Sequence, residues 1–124
     1  MNDVNKFSDI DTPISFFKKE VQKFVQDRNW LKFHTPKNLV QAINCEASEL
    51  SQLFLFKDIS TKKIMNDEEL LSKISNEIAD VFIYLTSLVN ALDLDLTQAF
   101  IKKMEKNRKK YSIEEFNSGI YYKK

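Results

Sequence analysis

The sequence predicts an all-α protein built as a four-helix bundle, and two observations carry that expectation. The first is punctuation: 124 residues hold one Gly and two Pro, too few for the many tight turns of a β-sandwich or barrel. The second is periodicity, because apolar residues recur at spacings of three and four through four long stretches. The length suits a single domain, which at this size buries roughly two-thirds of the surface its unfolded chain exposes.

Taken in order, the first helix is expected to start with Thr12 as N-cap and Pro13 at the first helical position. It carries Ile14, Phe17, Val21, Phe24 and Val25 on one face and ends near Trp30. Thr35 and Pro36 repeat that start for a second helix, which runs to about Phe56 through Leu39, Ile43, Leu50 and Leu53. Lys57 to Met65 reads as a polar linker. Asn66 with Glu69 forms a capping box for a third helix, whose buried side is Leu70, Ile74, Val81, Leu85, Leu88 and Leu92. Asp95 with Gln98 opens a fourth, carrying Leu96, Phe100 and Met104 and breaking up after Tyr111; Ser112 to Lys124 holds at most one more turn. Short connections favour antiparallel neighbours. The ten Phe, four Tyr and one Trp are a surplus for a monomer, so some of the Phe are expected to pack between subunits.

Charge sets further limits. With 19 Lys+Arg against 18 Asp+Glu the net charge is +1, which supports neither wholesale nucleic-acid binding nor attachment to a membrane surface. Cys45, the single cysteine, forms no internal disulfide and is expected to be a small buried apolar residue. The first six residues lack the basic-then-apolar pattern of a signal peptide. No apolar run approaches the ~20 residues that span a bilayer. A soluble, cytoplasmic protein is the expectation.

The residues that break the helical pattern are the informative ones. On the second helix Leu39, Ile43, Glu46, Leu50 and Leu53 step by four, three, four and three, placing Glu46 where an apolar side chain belongs. Leu70, Ile74, Glu77, Val81 and Tyr84 do the same with Glu77 on the third. Glu49 follows Glu46 by three residues and Asp80 follows Glu77 by three, so each helix presents two carboxylates one turn apart on one face. Unpaired buried carboxylates cost several kcal/mol and repel one another. Three resolutions are open: a surface location, buried pairing with Lys or Arg, or a bound cation. An oxygen-only ligand set favours Mg²⁺, with Mn²⁺ as substitute, over zinc or copper. Di-iron bundles would show Glu-x-x-His pairs, and His34, the only histidine, sits outside both pairs. Mg²⁺ binds through few carboxylates plus substrate phosphates, which points to a phosphorylated ligand.

Lys102, Lys103, Lys106, Arg108, Lys109 and Lys110 gather near the end of the fourth helix, where cations complement the helix dipole. Asn107 and Tyr111 continue the inward row of Phe100 and Met104, and Lys106 beside them is placed to meet an anion. The aromatics are not interleaved with these charges, unlike a single-strand nucleic-acid surface. Between helices one and two, Trp30, Phe33 and His34 are either plain core or groups that stack on a base.

Together these residues resemble a family, the MazG-like all-α nucleoside triphosphate pyrophosphohydrolases, and within it the dCTP pyrophosphatase branch. The segments that carry the resemblance are Asp27-Arg28-Asn29-Trp30, Phe33-His34, Pro36-Lys37-Asn38-Leu39, Glu46-Ala47-Ser48-Glu49-Leu50, Glu77-Ile78-Ala79-Asp80 through Leu85, and Lys106-Asn107-Arg108-Lys109-Lys110-Tyr111. They span roughly residues 13 to 112 of a single domain. The resemblance implies that Glu46, Glu49, Glu77 and Asp80 bind Mg²⁺ and form the catalytic centre. It implies that Trp30, Phe33, His34, Phe56 and Tyr84 form the nucleotide pocket, that Lys106, Asn107 and Tyr111 approach the phosphates, and that the bundles assemble as homodimers or homotetramers. Two positions depart from the dCTP-directed members, which carry Trp at the position of Phe56 and His at that of Val21. Phe keeps a stacking face, but Val supplies no hydrogen bond, which argues against a strict dCTP preference. The activity implied is Mg²⁺-dependent hydrolysis of a (deoxy)nucleoside triphosphate, dCTP or a related dNTP, to the monophosphate and pyrophosphate, clearing surplus or modified nucleotides. The alternatives are a nucleotide- or metal-binding regulatory bundle without turnover, and a structural bundle whose acids pair with lysines.

Overall fold

The computed structural model describes residues 6–124; the segment before them, part of the stretch read above for a leader, lies outside the described residues. Among the described residues there is no strand, and the all-α expectation holds. The helices are α1 (Ile14–Asp27), α2 (Pro36–Gln52), α3 (Thr61–Met65), α4 (Glu68–Ala91), α5 (Leu96–Lys110) and α6 (Ile113–Phe116), with a 3₁₀ turn at Leu31–Phe33. They fall into two compact units, a larger one running to Asp93 and a smaller one from Leu94 to Lys124. No described helix is long and apolar enough to cross a membrane.

In the larger unit α4 is the hub, packed by α2 most extensively and by α1 and α3. Its buried apolar core is small: Val25 of α1, Leu39 of α2, and Ile74 and Val89 of α4, with Leu39 almost wholly covered at 1% exposure. An aromatic chain extends it, Phe7 stacking on Phe16, Phe16 meeting Phe17 edge-on, and Phe17 meeting Phe82 of α4 edge-on at 5.3 Å. The Asn90 side-chain amide donates to the Lys18 carbonyl at 3.0 Å and ties α4 to α1. In the smaller unit the Tyr111, Phe116 and Tyr122 rings pack together. There Glu115 accepts from the Tyr122 hydroxyl and from Lys124 Nζ, and these bonds hold its carboxyl below the usual carboxylate range, Lys124 contributing most.

The caps explain where the helices start. Thr35 Oγ1 accepts from Asn38 N at 3.3 Å with Pro36 at the first helical position, as expected, and Asp95 Oδ1 accepts from Gln98 N at 2.9 Å. Three boundaries differ from the expectation. Thr12 does not cap α1: its N–H closes a turn on the Ser8 carbonyl, and Pro13 occupies the N-cap without a side-chain bond. Asn66 does not open α4, because its amide donates to the Lys62 carbonyl at the end of α3, and Asp67 takes the cap by accepting from Leu70 N at 3.0 Å. The stretch read as a linker therefore contains a short helix, started by Ser60 accepting from Lys63 N. Two ends come early: α1 stops at Asp27 because Asn29 turns left-handed at φ 56°, and α2 stops at Gln52, before Phe56, also at φ 56°. Asn adopts that conformation readily, whereas a bulky aromatic in it is strained. Cys45 is exposed, not buried, because it sits one residue, about 100° of rotation, off the Leu39–Glu46 stripe.

Candidate active site

The packing of α2 on α4 decides the fate of the acids. Glu46 from α2 and Glu77 and Asp80 from α4 each bring a carboxylate oxygen to one point, all within 4.8 Å of one another. Glu46 Oε2 and Glu77 Oε2 are covered and have no hydrogen-bond partner, and among the described residues no Lys or Arg pairs with any of the four acids. Among the described residues, then, neither an open surface location nor pairing with Lys or Arg accounts for the covered oxygens of Glu46 and Glu77.

Burial pushes the Glu46 carboxyl above its ordinary value near 4.5; a hydrogen bond with Glu49 and repulsion from Glu49, Asp80 and Glu77 push in the same direction. Glu77 is raised by burial first, then by repulsion from Glu49, by its bond with that residue, and by repulsion from Asp80. The exposed Glu49 adds its repulsion to this group, so the four acids must either hold protons or bind a cation. Three converging hard oxygen ligands, two of the three residues carrying a covered and unpartnered oxygen, fit a divalent ion such as Mg²⁺ or Mn²⁺.

A cavity of about 270 Å³ opens beside this group. Five of the residues expected to form the site, Trp30, His34, Glu46, Asp80 and Tyr84, line it together. Trp30 and His34 are set there by the turn after α1: Trp30 N–H donates to the Val25 carbonyl and His34 N–H to that of Leu31. Asn38 secures this turn from α2, its side-chain amide donating to the Phe33 carbonyl at 2.9 Å. The Trp30 ring lies edge-on to Phe24 at 5.8 Å, and the Arg28 guanidinium covers Phe24 at 3.7 Å.

Four lining residues escaped the sequence reading: Phe24, Val25, Ile83 and Ser87. Phe24 and Val25 had been assigned to the core face, while Ser87 was legible only as a hydroxyl seven residues beyond Asp80 on the same face. Two expected residues are not brought in. Phe33 points out from the 3₁₀ turn at 56% exposure, and Phe56 is fully exposed; neither lines the cavity. Lys106, Asn107 and Tyr111 belong to the smaller unit, where Lys106 is exposed and Asn107 half-buried, and the Tyr111 hydroxyl accepts from Lys124 N at 2.9 Å.

The model of the MazG-like family matches residues 41–123, which includes all four acids. The chain belongs to the MazG-like family. Among MazG-like relatives it is 36% identical over 92 residues to dCTP pyrophosphatase 1 of Mus musculus, covering 73% of this chain and 54% of that protein. It is 33% identical over 90 residues to dCTP pyrophosphatase 1 of Homo sapiens, covering 72% and 53%. The chain spans about half the length of the curated relatives it matches. Its fold is shared with a solved pyrophosphatase from Archaeoglobus fulgidus, with a TM-score of 0.72 and 35% identity over 80% of this chain and 92% of that one. Trp30 and His34 precede the stretch matched by the family model.

Proposed function

We propose that this MazG-like chain hydrolyses a (deoxy)nucleoside triphosphate, dCTP or a related dNTP, to the monophosphate and pyrophosphate with Mg²⁺ as cofactor. The observation that carries the proposal is the joining of two chemistries in one cavity: Glu46 and Asp80 line the same space as Trp30, His34 and Tyr84. Acids meet phosphate only through a cation, and aromatic faces suit a base. The names of the relatives support the substrate class.

Glu46, Glu77 and Asp80, with Glu49 beside them, would hold the ion. Bound there, Mg²⁺ supplies Lewis acidity, neutralising phosphate charge and acidifying water. Trp30 and Tyr84 flank the base and fix its distance from the acids. Water adds to the α-phosphorus, the bond from that phosphorus to the bridging oxygen breaks, and pyrophosphate leaves. The proton lost by the water passes to one of the glutamate carboxylates, acting as general base. Lys106, Asn107 and Tyr111 are assigned to the phosphates. Positioning and charge neutralisation supply the acceleration.

We assign the working form to a homodimer or homotetramer in the cytoplasm. Support for assembly comes from large side chains left bare in the single chain, among them Leu55 at 61% and Phe56 at 100% exposure. Sedimentation at micromolar concentration checks it, a monomer being the contrary result. The activity is tested with a panel of dNTPs and NTPs in Mg²⁺, Mn²⁺ or EDTA, products being followed by ³¹P NMR. Cation-dependent release of pyrophosphate is expected. Release of orthophosphate alone, or no turnover of any nucleotide, contradicts the proposal.

A further inference from the structure

Ser87 is the residue of the cavity that the acids and aromatics leave unexplained. It is one of two buried polar side chains among the described residues, at 6% exposure, and it lines the same cavity as Glu46 and Asp80. Its neighbour Thr86 satisfies its own hydroxyl in the common helical way, donating to the Phe82 carbonyl at 2.7 Å. The Ser87 hydroxyl forms no such bond with the described residues and, on the wall of the cavity, is free to bond a ligand group.

Position says which part of a ligand. Asp80, Tyr84 and Ser87 follow one another along one face of α4, and seven residues of helix carry Ser87 about 10 Å along the axis from Asp80. That span is comparable with the reach of a nucleotide from its phosphates to the far edge of its base. With phosphates at the acids and Trp30 and Tyr84 against the ring faces, the sugar falls between and the polar edge of the base arrives at Ser87. Of the other lining residues Phe24, Val25 and Ile83 offer no hydrogen bond, so besides the acids only Trp30, His34 and the Tyr84 hydroxyl share that capacity with Ser87. We propose that Ser87 is a specificity-determining residue, its hydroxyl hydrogen-bonding the Watson–Crick edge of the base. The proposal rests on the nucleotide reading above.

Trp30, the only tryptophan, lines the cavity and reports its occupancy, so binding is measurable without turnover. The test titrates wild type and Ser87→Ala with the four deoxynucleosides and with a deoxycytidine analogue lacking the exocyclic amino group, following Trp30 fluorescence. Wild type is expected to rank the bases over about five- to tenfold in Kd, the worth of one hydrogen bond, and Ser87→Ala to lose that ranking while keeping its melting temperature. If Ser87→Ala does not fold, the wild-type loss of affinity for the edge-deleted analogue carries the test. An unchanged ranking in Ser87→Ala, no loss with the analogue, or no quenching by any nucleoside overturns the proposal. Quenching with a Ser87-dependent ranking but no hydrolysis upholds it and overturns only the catalytic reading.

Discussion

Two acid-lined cavities of the larger unit make opposite use of the same side chain. One, of about 550 Å³, lies where α3 meets the start of α4 and the end of α2, and mixes Asp58, Asp67 and Glu69 with Lys57, Lys63 and Lys73. Two of its three acids are satisfied locally: Asp67 caps α4, and Glu69 meets Lys73 at 3.2 Å with both side chains largely exposed. The other, half that volume, holds Glu46 and Asp80 beside Glu77, with two orphaned carboxylate oxygens and, among the described residues, no lysine in its lining or paired with these acids. Uncompensated charge, and not size or the number of acids, marks the place where the fold carries a cost that a ligand must offset.

The widest contrast is expected from removing one acid at a time. Glu77→Gln should lower the turnover of dCTP or the preferred dNTP by about a hundred- to thousandfold, as losing one element of electrostatic stabilisation does, while the metal-free protein melts no lower than wild type because a repulsion is gone. Glu69→Gln should leave turnover unchanged. Equal loss in both variants would erase the distinction between the cavities.

Titration sharpens the contrast next. Glu46 and Glu77 are raised in the folded state above their ordinary value near 4.5, so the folded protein binds protons more tightly than the unfolded chain. That stabilisation is complete below about pH 4.5 and is lost as pH rises through the raised folded values. The melting temperature of the EDTA-treated protein should therefore fall on going from weakly acidic to neutral pH, and Mg²⁺ should abolish the fall. A metal-free protein whose stability rises over that range contradicts the burial of these acids.

The smallest effects belong to the locally satisfied acids. Asp67→Ala should cost about 1 kcal/mol through the lost cap, and breaking the exposed Glu69–Lys73 pair about 0.5 kcal/mol or less; urea unfolding with Mg²⁺ present measures both. A loss of several kcal/mol for the pair would mean that this cavity too depends on compensated charge.

Much of this contrast was legible before any coordinates, for reasons that particular residues make plain. Glu46 and Glu77 stood out because each interrupts an apolar stripe, and Thr35–Pro36 and Asp95–Gln98 marked helix starts because capping is chemistry between near neighbours. What spacing could not supply was distance between helices. Whether Glu46 would meet a lysine or Glu77 depends on how α2 lies on α4. Asn66 and Asp67 are equally good caps one residue apart, and the choice fell to Asp67 once Asn66 was used to end α3. Ser87 passed unnoticed in the apolar run from Val81 to Val89, where a small hydroxyl resembles ordinary core until the cavity it lines is seen. Phe56, which the family resemblance placed in the nucleotide pocket, is fully exposed in the single chain on a left-handed backbone that spacing could not foresee.

The central claim is that the acids on α2 and α4 bind a divalent cation, and Mn²⁺ titration followed by electron paramagnetic resonance tests it most directly. Wild type should remove Mn²⁺ from the free-ion signal in stoichiometric amounts, with Mg²⁺ competing it off, and the double variant Glu46→Gln/Glu77→Gln should remove almost none. Equal uptake by the two proteins, or none by wild type, would contradict the account.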